Sequence, residues 1–192
     1  MSYPQRTFYP NVLRLKYSGR THKSDNPMSM KLQLAVADDV AELVAMRTRV
    51  SQDLAKRFGE GFWAGKHAEG GERFLMRIGQ VYVARYRGRL IATLTLTKRK
   101  PWSIDVKHFH ATGKPMYLRA MAVDPAHQRK GVGRMCIEEA QRIARESWFQ
   151  AIRLDAFDCA AGAGDFYRKC GFTEVARVNY KGVPHIDFEI ML

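Results

Sequence analysis

An apolar strand that runs through a glycine turn into a helix, at Val123–Arg134, sets the tightest limit on how this chain folds. Asp124-Pro125 ends the strand, because proline fixes its own φ and biases the preceding residue to extended conformations. Gly131 and Gly133 then open an amphipathic helix. Its first-turn amides lack partners inside the helix and carry the positive end of the helix dipole, and glycine lets the backbone approach an anion without a Cβ in the way. The junction therefore predicts a phosphate-binding site.

The spacing around these glycines narrows the kind of phosphate ligand. A dinucleotide fingerprint needs a third glycine, and Cys136 stands at that position. A nucleotide-triphosphate loop needs Gly-Lys-Ser/Thr, which does not follow here. Both common nucleotide interpretations are weakened, whereas Arg129, Lys130 and Arg134 add positive charge for another phosphorylated ligand.

Length, composition and net charge limit the class of protein and the kind of partner. The 192 residues suffice for one hydrophobic core, and the apolar (46%) and charged (27%) fractions are those of an ordinary globular protein. The net charge of +13 points to an anionic partner, which could be a nucleic acid, a membrane surface or a phosphorylated small molecule. Because no apolar run is long enough to span a membrane and no signal-peptide pattern is visible, we expect a cytoplasmic protein without membrane contact.

The cysteines give no sign of a disulfide framework or a metal centre. Cys136, Cys159 and Cys170 are odd in number and form no C-x-x-C pair. We expect reduced, mostly structural thiols and no metal site.

Two segments of unequal character are expected. Residues 1–30 are rich in proline and polar residues, which predicts an irregular or extended N-terminal extension, and within it Leu13–Tyr17 has the alternation of an edge strand. Met28 and Met30 directly precede the first regular element, so we regard them as candidate natural start sites. Residues 31–192 form the expected domain.

Hydrophobic periodicity predicts an α/β fold with a mixed, mostly antiparallel sheet flanked by helices. A strand at Leu32–Val36 precedes a helix with a capping-box spacing at Asp39 and Glu42, and glycines from Gly59 onward end that helix. Further helices are expected at 72–78, 131–148 and 164–170. Further strands are expected at 81–86, 90–97, 117–123, 152–157, 173–180 and 185–191, with hairpin turns at Arg87-Gly88 and Lys181-Gly182.

The segment 98–115 is unusually long for a connection between two strands of one sheet. It combines basic residues with aromatic ones, and three interpretations stay open. It could be a nucleic-acid patch, a wall of an acceptor site, or a solvated basic loop that Trp102 and Phe109 anchor to the core.

Three sequence pieces in order resemble the GNAT superfamily of N-acetyltransferases. The central motif of that superfamily, Q/R-x-x-G-x-G/A after an apolar strand, is here Gln128–Gly133. Ala122–Pro125 precedes it, and Phe166–Phe172 follows after the next strand. The order of elements from residue 31 to the end is also similar, so the resemblance implies the GNAT fold, with central strands that splay apart to form an acyl-CoA cleft.

The resemblance implies that acetyl-CoA is the cosubstrate. The amides of residues 129–134 would then bind the pyrophosphate, and the β-strand backbone before the motif would bind the pantetheine arm and the thioester. The implied acetyl-CoA residues are Met121, Ala122, Val123, Gln128, Arg129, Lys130, Gly131, Val132, Gly133, Arg134 and Tyr167.

Transfer of an acetyl group to an amine needs a proton acceptor and a proton donor. Tyr167 matches the tyrosine that protonates the leaving sulfur in the family. Asp155 stands where some ribosomal-protein acetyltransferases of the superfamily use a glutamate as base, and its alternative role is an ion pair with Arg153 or another basic group. Two histidines and an acid of the 98–115 loop are further candidates for the base: His108, His110 and Asp105.

The chain departs from the family pattern at two positions. Many members carry an acid on the strand before the motif, but Tyr117–Met121 contains none. Ala160 stands where the family usually has an asparagine that contacts the cofactor. These departures leave the identity of the base and one cofactor contact open.

The sequence therefore predicts an acetyl-CoA dependent N-acetyltransferase that acetylates a primary amine of a small molecule or peptide by direct attack. The alternatives are a basic nucleic-acid-binding module and a non-catalytic acyl-CoA sensor of the same fold. We expect acetyl-CoA and an amine acceptor as partners and no nucleic acid, and members of the superfamily are often homodimers.

Overall fold

The computed structural model describes residues 31–192, which contain seven strands and four α-helices. The strands are β1 (Gln33–Leu34), β2 (Gln80–Tyr86), β3 (Arg89–Thr97), β4 (Pro115–Val123), β5 (Ala151–Phe157), β6 (Thr173–Tyr180) and β7 (Val183–Met191). The α-helices are α1 (Val40–Phe58), α2 (Glu69–Ile78), α3 (Val132–Glu146) and α4 (Gly164–Lys169).

All the strands belong to one sheet in the order β1-β2-β3-β4-β5-β7-β6. Only the β4–β5 pair is parallel among the described strands, and every other neighbouring pair is antiparallel. The predicted fold class, a mixed and mostly antiparallel sheet flanked by helices, is confirmed.

Strand alternation gives the sheet two different faces. One face packs against α3 in the main hydrophobic core, where Leu94, Ile152 and Phe188 are fully buried beside Ile137. The other face packs against α1 and α2 through a smaller cluster that includes Leu43 and Val81. Beyond these two helices the second face carries polar side chains from β5 and β7. Residues paired in register point to the same side of the sheet, so Arg153 and Asp155 of β5 share this face with Glu189 and Asp187 of β7.

Local sequence signals set both hairpin turns as predicted. Arg87 and Gly88 adopt φ of 49° and 80°, and Lys181 and Gly182 adopt φ of 53° and 83°. Positive φ at both central residues is the geometry of a two-residue turn that matches the twist of its strands.

The start of the domain differs from the prediction. Strand β1 is only two residues long, and Leu34 and Val36 are exposed while Leu32 is buried. The predicted capping box is wrong, because the Glu42 carboxylate accepts a hydrogen bond from the Leu90 amide at 2.8 Å instead of closing on Asp39. A tertiary contact to the β2–β3 hairpin has replaced the local one.

Several predictions made from the sequence lie outside the described residues, namely the extension 1–30, the edge strand Leu13–Tyr17 and the start sites Met28 and Met30. The three cysteines are free thiols, with Cys136 buried, Cys170 half-buried and Cys159 exposed. Within residues 31–192, no helix combines the length and apolar character that crossing a membrane requires.

Candidate active site

The centre of the sheet opens between β4 and β5. These strands pair only at their first residues, and the last partners in register are Tyr117 and Arg153. Strand β4 then continues to Val123 and β5 to Phe157 without further pairing to each other. The β4 backbone beyond Tyr117 therefore faces a gap in the sheet, and its edge amides and carbonyls there are available to a ligand.

A β-bulge in β4 lies at this divergence. Thr95 pairs with Arg119 and Thr93 with Ala122, so Ala120 and Met121 share one position on β3. Ala120 adopts φ of 49°, which side-chain-bearing residues rarely do. Bulges bend a strand and end its pairing, and they are over-represented next to active sites.

The glycine turn lies directly after β4. Gly131 adopts φ of 82° and caps the N-terminus of α3, and Arg129 also has a positive φ of 56°. No described side chain caps this helix, so its first-turn amides keep free hydrogen-bonding capacity. A Cβ at Gly131 would meet no atom within 4 Å, so glycine is favoured here by conformation and by open space for a ligand.

Gly133 lies where α3, α4 and the end of β4 meet. A Cβ at this position would lie 3.0 Å from the Phe166 ring and 3.7 Å from the Met121 side chain. Glycine therefore lets α4 and the end of β4 pack closely against the first turn of α3. Tyr167 follows Phe166 on α4, and the centroids of the two rings lie 5.2 Å apart.

Buried polar contacts fix the turn. Asp124 accepts hydrogen bonds from Arg49 of α1 at 2.6 Å and from the Ala126 amide at 3.0 Å. Burial favours a higher pKa for Asp124, but these hydrogen bonds outweigh it and hold the pKa below its ordinary value. The Gln128 side-chain amide donates to the Val123 carbonyl at 3.0 Å, which holds the turn against the strand.

The basic side chains of the turn are exposed at its rim. Lys130 Nζ donates to the Ala126 carbonyl at 2.8 Å, and Arg134 donates to the Lys169 carbonyl at 2.9 Å. Arg129 is exposed. Free amides, a positive-φ glycine and three peripheral cations fit a diphosphate group, and the adjoining edge of β4 fits an extended, hydrogen-bonding arm.

Tyr167 is buried among aromatic rings. Its ring lies 5.2 Å from Phe166, 5.6 Å from Phe172 and 5.8 Å from Phe188. Burial, together with the negative charge of Asp155, raises the pKa of the phenol above its ordinary value. The phenol is therefore protonated at neutral pH and can serve as a hydrogen-bond or proton donor.

Asp155 lies on β5 beyond the point of divergence, and its side chain is 21% exposed. Its alternative role as a partner of Arg153 does not occur: Arg153 instead pairs with Glu189 at 2.8 Å and donates to the His110 carbonyl. His185 Nε2 lies 3.7 Å from the Asp155 carboxylate. Because His185 Nδ1 donates to the Val183 carbonyl at 2.9 Å, Nε2 carries the lone pair of the neutral ring.

The structure adds an acid that sequence reasoning missed. Asp187 of β7 is the register partner of Asp155 and is fully buried. It accepts a hydrogen bond from His108 Nδ1 at 3.1 Å, and its second oxygen has no partner among the described residues. Burial and nearby Asp155 raise the pKa of Asp187, although the His108 hydrogen bond acts in the opposite direction. Alternation along β7 is visible in the sequence, but the register that faces Asp187 toward Asp155 is not.

The other loop candidates have structural partners. His110 Nδ1 lies 2.6 Å from the Glu189 carboxylate, and Asp105 accepts the Lys107 amide at 3.1 Å as the cap of a short turn. Phe109 is buried, as the anchoring interpretation predicts, but Trp102 is 80% exposed and anchors nothing.

Comparisons with known proteins identify a matching family and similar folds. The Acetyltransferase (GNAT) family model matches residues 47–172. A GNAT family acetyltransferase from Listeria monocytogenes superposes with a TM-score of 0.66 at 16% identity, over 85% of this chain and 95% of that one. A ribosomal-protein-alanine N-acetyltransferase from Brucella melitensis gives 0.63 at 16% identity, over 84% and 99%.

A third similar structure contains a ligand. It is a GNAT family acetyltransferase from Elizabethkingia anophelis with acetyl-CoA bound, with a TM-score of 0.50 at 16% identity over 65% of this chain and 84% of that one. No curated protein sequence matches the chain. At these identities the solved structures establish the fold, whereas the family match spans β4, the glycine turn and α4. On that match and that fold, the chain belongs to the GNAT acetyltransferase family.

Proposed function

We propose that the protein is an acetyl-CoA dependent N-acetyltransferase that transfers the acetyl group by direct attack of a primary amine of a small molecule or peptide. One observation carries the proposal. Strands β4 and β5 diverge after Tyr117 and Arg153, and the gap between them has the free edge of β4 on one side and Asp155 on the other.

The residues that would hold acetyl-CoA form a continuous path. The amides of residues 129–134 would bind the diphosphate, and the backbone of Met121–Val123 would bind the pantetheine arm by hydrogen bonds. One such amide, aimed at the carbonyl oxygen of the acetyl group, would stabilise the negative charge that develops there. A preorganised donor of this kind contributes roughly 3 kcal/mol to lowering the barrier.

Asp155 is the proposed general base. A lysine-like amine of pKa about 10.4 is mostly charged at pH 7, and forming its neutral state costs roughly 4.6 kcal/mol, whereas an α-amine near 7.8 costs about 1 kcal/mol. Asp155 would accept the proton as the amine nitrogen bonds to the acetyl carbon. His185 Nε2 lies 3.7 Å from this carboxylate.

Tyr167 is the proposed general acid. When the carbon–sulfur bond breaks, the leaving thiolate needs a proton, and the Tyr167 phenol, which is protonated at neutral pH, can donate it. The same tyrosine contacts Phe166, which packs on the glycine turn. The acid is thereby tied to the segment that would fix the cofactor.

The deciding experiment is a thiol-release assay with acetyl-CoA and a panel of amines, combined with mass spectrometry of the acetylated product. Release that depends on both acetyl-CoA and an amine supports the proposal. Binding of acetyl-CoA in calorimetry without turnover on any amine would instead indicate the acyl-CoA sensor. No binding of acetyl-CoA, together with a salt-dependent shift of labelled DNA or RNA, would indicate the nucleic-acid module.

A further inference from the structure

A solvent-open cavity lies between the long β3–β4 loop and the end of β6. The loop folds back over the polar face of the sheet, where buried Ile104 and Phe109 pack with Tyr117. Between this anchored loop and residues 178–180 lies a cavity of about 440 Å³. Small-molecule sites commonly have volumes of roughly 300 to 1,000 Å³.

The outer part of the cavity is apolar and aromatic. Trp102 and Tyr180 line it together with Val106 and Val178. Trp102 is 80% exposed and Val106 52% exposed, so both present apolar surface to solvent although the loop that carries them is pinned to the core. Exposed aromatic groups held on a fixed segment are typical of surfaces that bind an apolar partner.

His108 lies between the inner part of the cavity and the acids of the candidate active site. His108 lines the cavity, and its Nδ1 lies 3.1 Å from the buried Asp187 carboxylate. Asp187 in turn is paired in register with Asp155, and one Asp187 oxygen has no partner among residues 31–192. The cavity therefore has an aromatic outer wall and, behind His108, two neighbouring carboxylates.

The charges of this region favour a cationic group at the inner end. Lys100 also lines the cavity, but its Nζ donates to the Pro101 and Ile104 carbonyls at 3.1 and 2.6 Å, which engages it within the loop. The carboxyl groups of Asp155 and Asp187 favour an ammonium group over an anion near this end of the cavity.

We propose that this cavity is the acceptor subsite, and that it selects primary amines that carry an aromatic body. The ring packs against Trp102 and Tyr180, and the amine end lies beside His108 toward Asp155. The inference rests on the proposed function and adds to it the class of acceptor and the role of the loop 98–114.

The test compares two amines that differ by the ring, 2-phenylethylamine and ethylamine, in the thiol-release assay. The wild-type protein should favour 2-phenylethylamine at least about tenfold in kcat/KM, as expected for an aromatic contact together with burial of the ring. Trp102→Ala should reduce this preference to about twofold or less by raising KM for 2-phenylethylamine. Trp148→Ala is the matched control, because Trp148 is 82% exposed and does not line the cavity, and it should keep the wild-type preference.

The outcomes separate the subsite from the enzymatic activity. Turnover of ethylamine with no preference for the aromatic amine, or an equal preference in both tryptophan variants, overturns the subsite and leaves the acetyltransferase standing. If no amine supports thiol release, the proposed function fails. Saturation-transfer NMR then tests whether 2-phenylethylamine binds to the cavity independently of turnover. A signal lost in Trp102→Ala and kept in Trp148→Ala supports the binding site, and an absent or unchanged signal overturns it.

Discussion

Asp155 and Asp187 lie directly opposite each other on β5 and β7, with Asp155 partly exposed and Asp187 fully buried. Two neighbouring carboxylates do not ionise independently, since each charge disfavours the other. Here the pKa of the buried partner changes: burial, together with the charge of Asp155, raises the pKa of Asp187. Asp155 remains the solvent-facing member, which suits a group that must exchange a proton with a substrate.

Replacing Asp187 tests this arrangement through stability. Because the folded pKa of Asp187 lies above its unfolded value near 3.8, the folded protein holds the proton more tightly. The stabilisation from this proton is complete below the unfolded pKa and is lost as the pH rises through the folded pKa, at about 1.4 kcal/mol per unit of pKa difference. Asp187→Asn cannot titrate, so its unfolding free energy relative to wild type should rise from pH 4 to pH 7. Urea unfolding across that range measures it, and a constant or falling difference contradicts the assignment.

Asp155→Asn should impair catalysis while leaving the binding of acetyl-CoA intact. The substitution keeps the shape of the side chain but cannot accept a proton, and loss of a general base costs roughly 10² to 10⁴ in rate. Stopped assays of kcat and calorimetric titration of acetyl-CoA measure the two effects. Asp158→Asn is the control, because this acid forms a surface ion pair with Arg177 at 2.7 Å. Full activity of Asp155→Asn would show that Asp155 is not the base, and His108 and His185 would then be the candidates to test.

Tyr167→Phe should lower turnover by roughly 10² or more with a similar affinity for acetyl-CoA. The change removes a proton donor but keeps the ring that packs on Phe166, Phe172 and Phe188. Tyr117→Phe provides the comparison, since it removes another buried phenol on the sheet. Turnover and thermal midpoint should be measured together. Undiminished turnover in Tyr167→Phe would reject the acid role.

Gly131→Ala should weaken the binding of acetyl-CoA about tenfold, the loss expected when one well-aligned backbone hydrogen bond is displaced. Gly131 and Gly88 have nearly equal φ, 82° and 80°, and a Cβ at either position meets nothing within 4 Å. Both alanine variants should therefore lose about 1 kcal/mol of stability from backbone strain. The Kd for acetyl-CoA, measured by calorimetry, should change only in Gly131→Ala. Equal affinities in the two variants would show that the turn does not bind the diphosphate.

Much of the fold follows from local patterns. The two hairpin turns need residues that accept positive φ, and Arg87-Gly88 and Lys181-Gly182 adopt it. The end of β4 at Asp124-Pro125 and the glycine cap of α3 likewise depend on residues next to each other in the chain. Such signals act over a few residues, so they can be read before any long-range contact is known.

Local patterns failed where a tertiary contact competed for the same group. Glu42 has the spacing of a capping box, yet its carboxylate accepts the Leu90 amide and pairs with Arg85 from the β2–β3 hairpin. Trp102 is a large aromatic residue of the kind that usually anchors a loop to the core, but it is exposed. Ile104 and Phe109 of the same loop form the buried cluster with Tyr117 instead.

By itself, the sequence determined the order of the elements, the glycine turn before α3 and the family resemblance, because each depends on short-range spacing. Only the tertiary structure decided which acids and imidazoles come together. The register between β5 and β7 places Asp187 opposite Asp155, and the path of the loop brings His108 to Asp187 from 79 residues away. A shift of that register by one residue would turn every side chain of β7 to the other face, and nothing local to either strand fixes it.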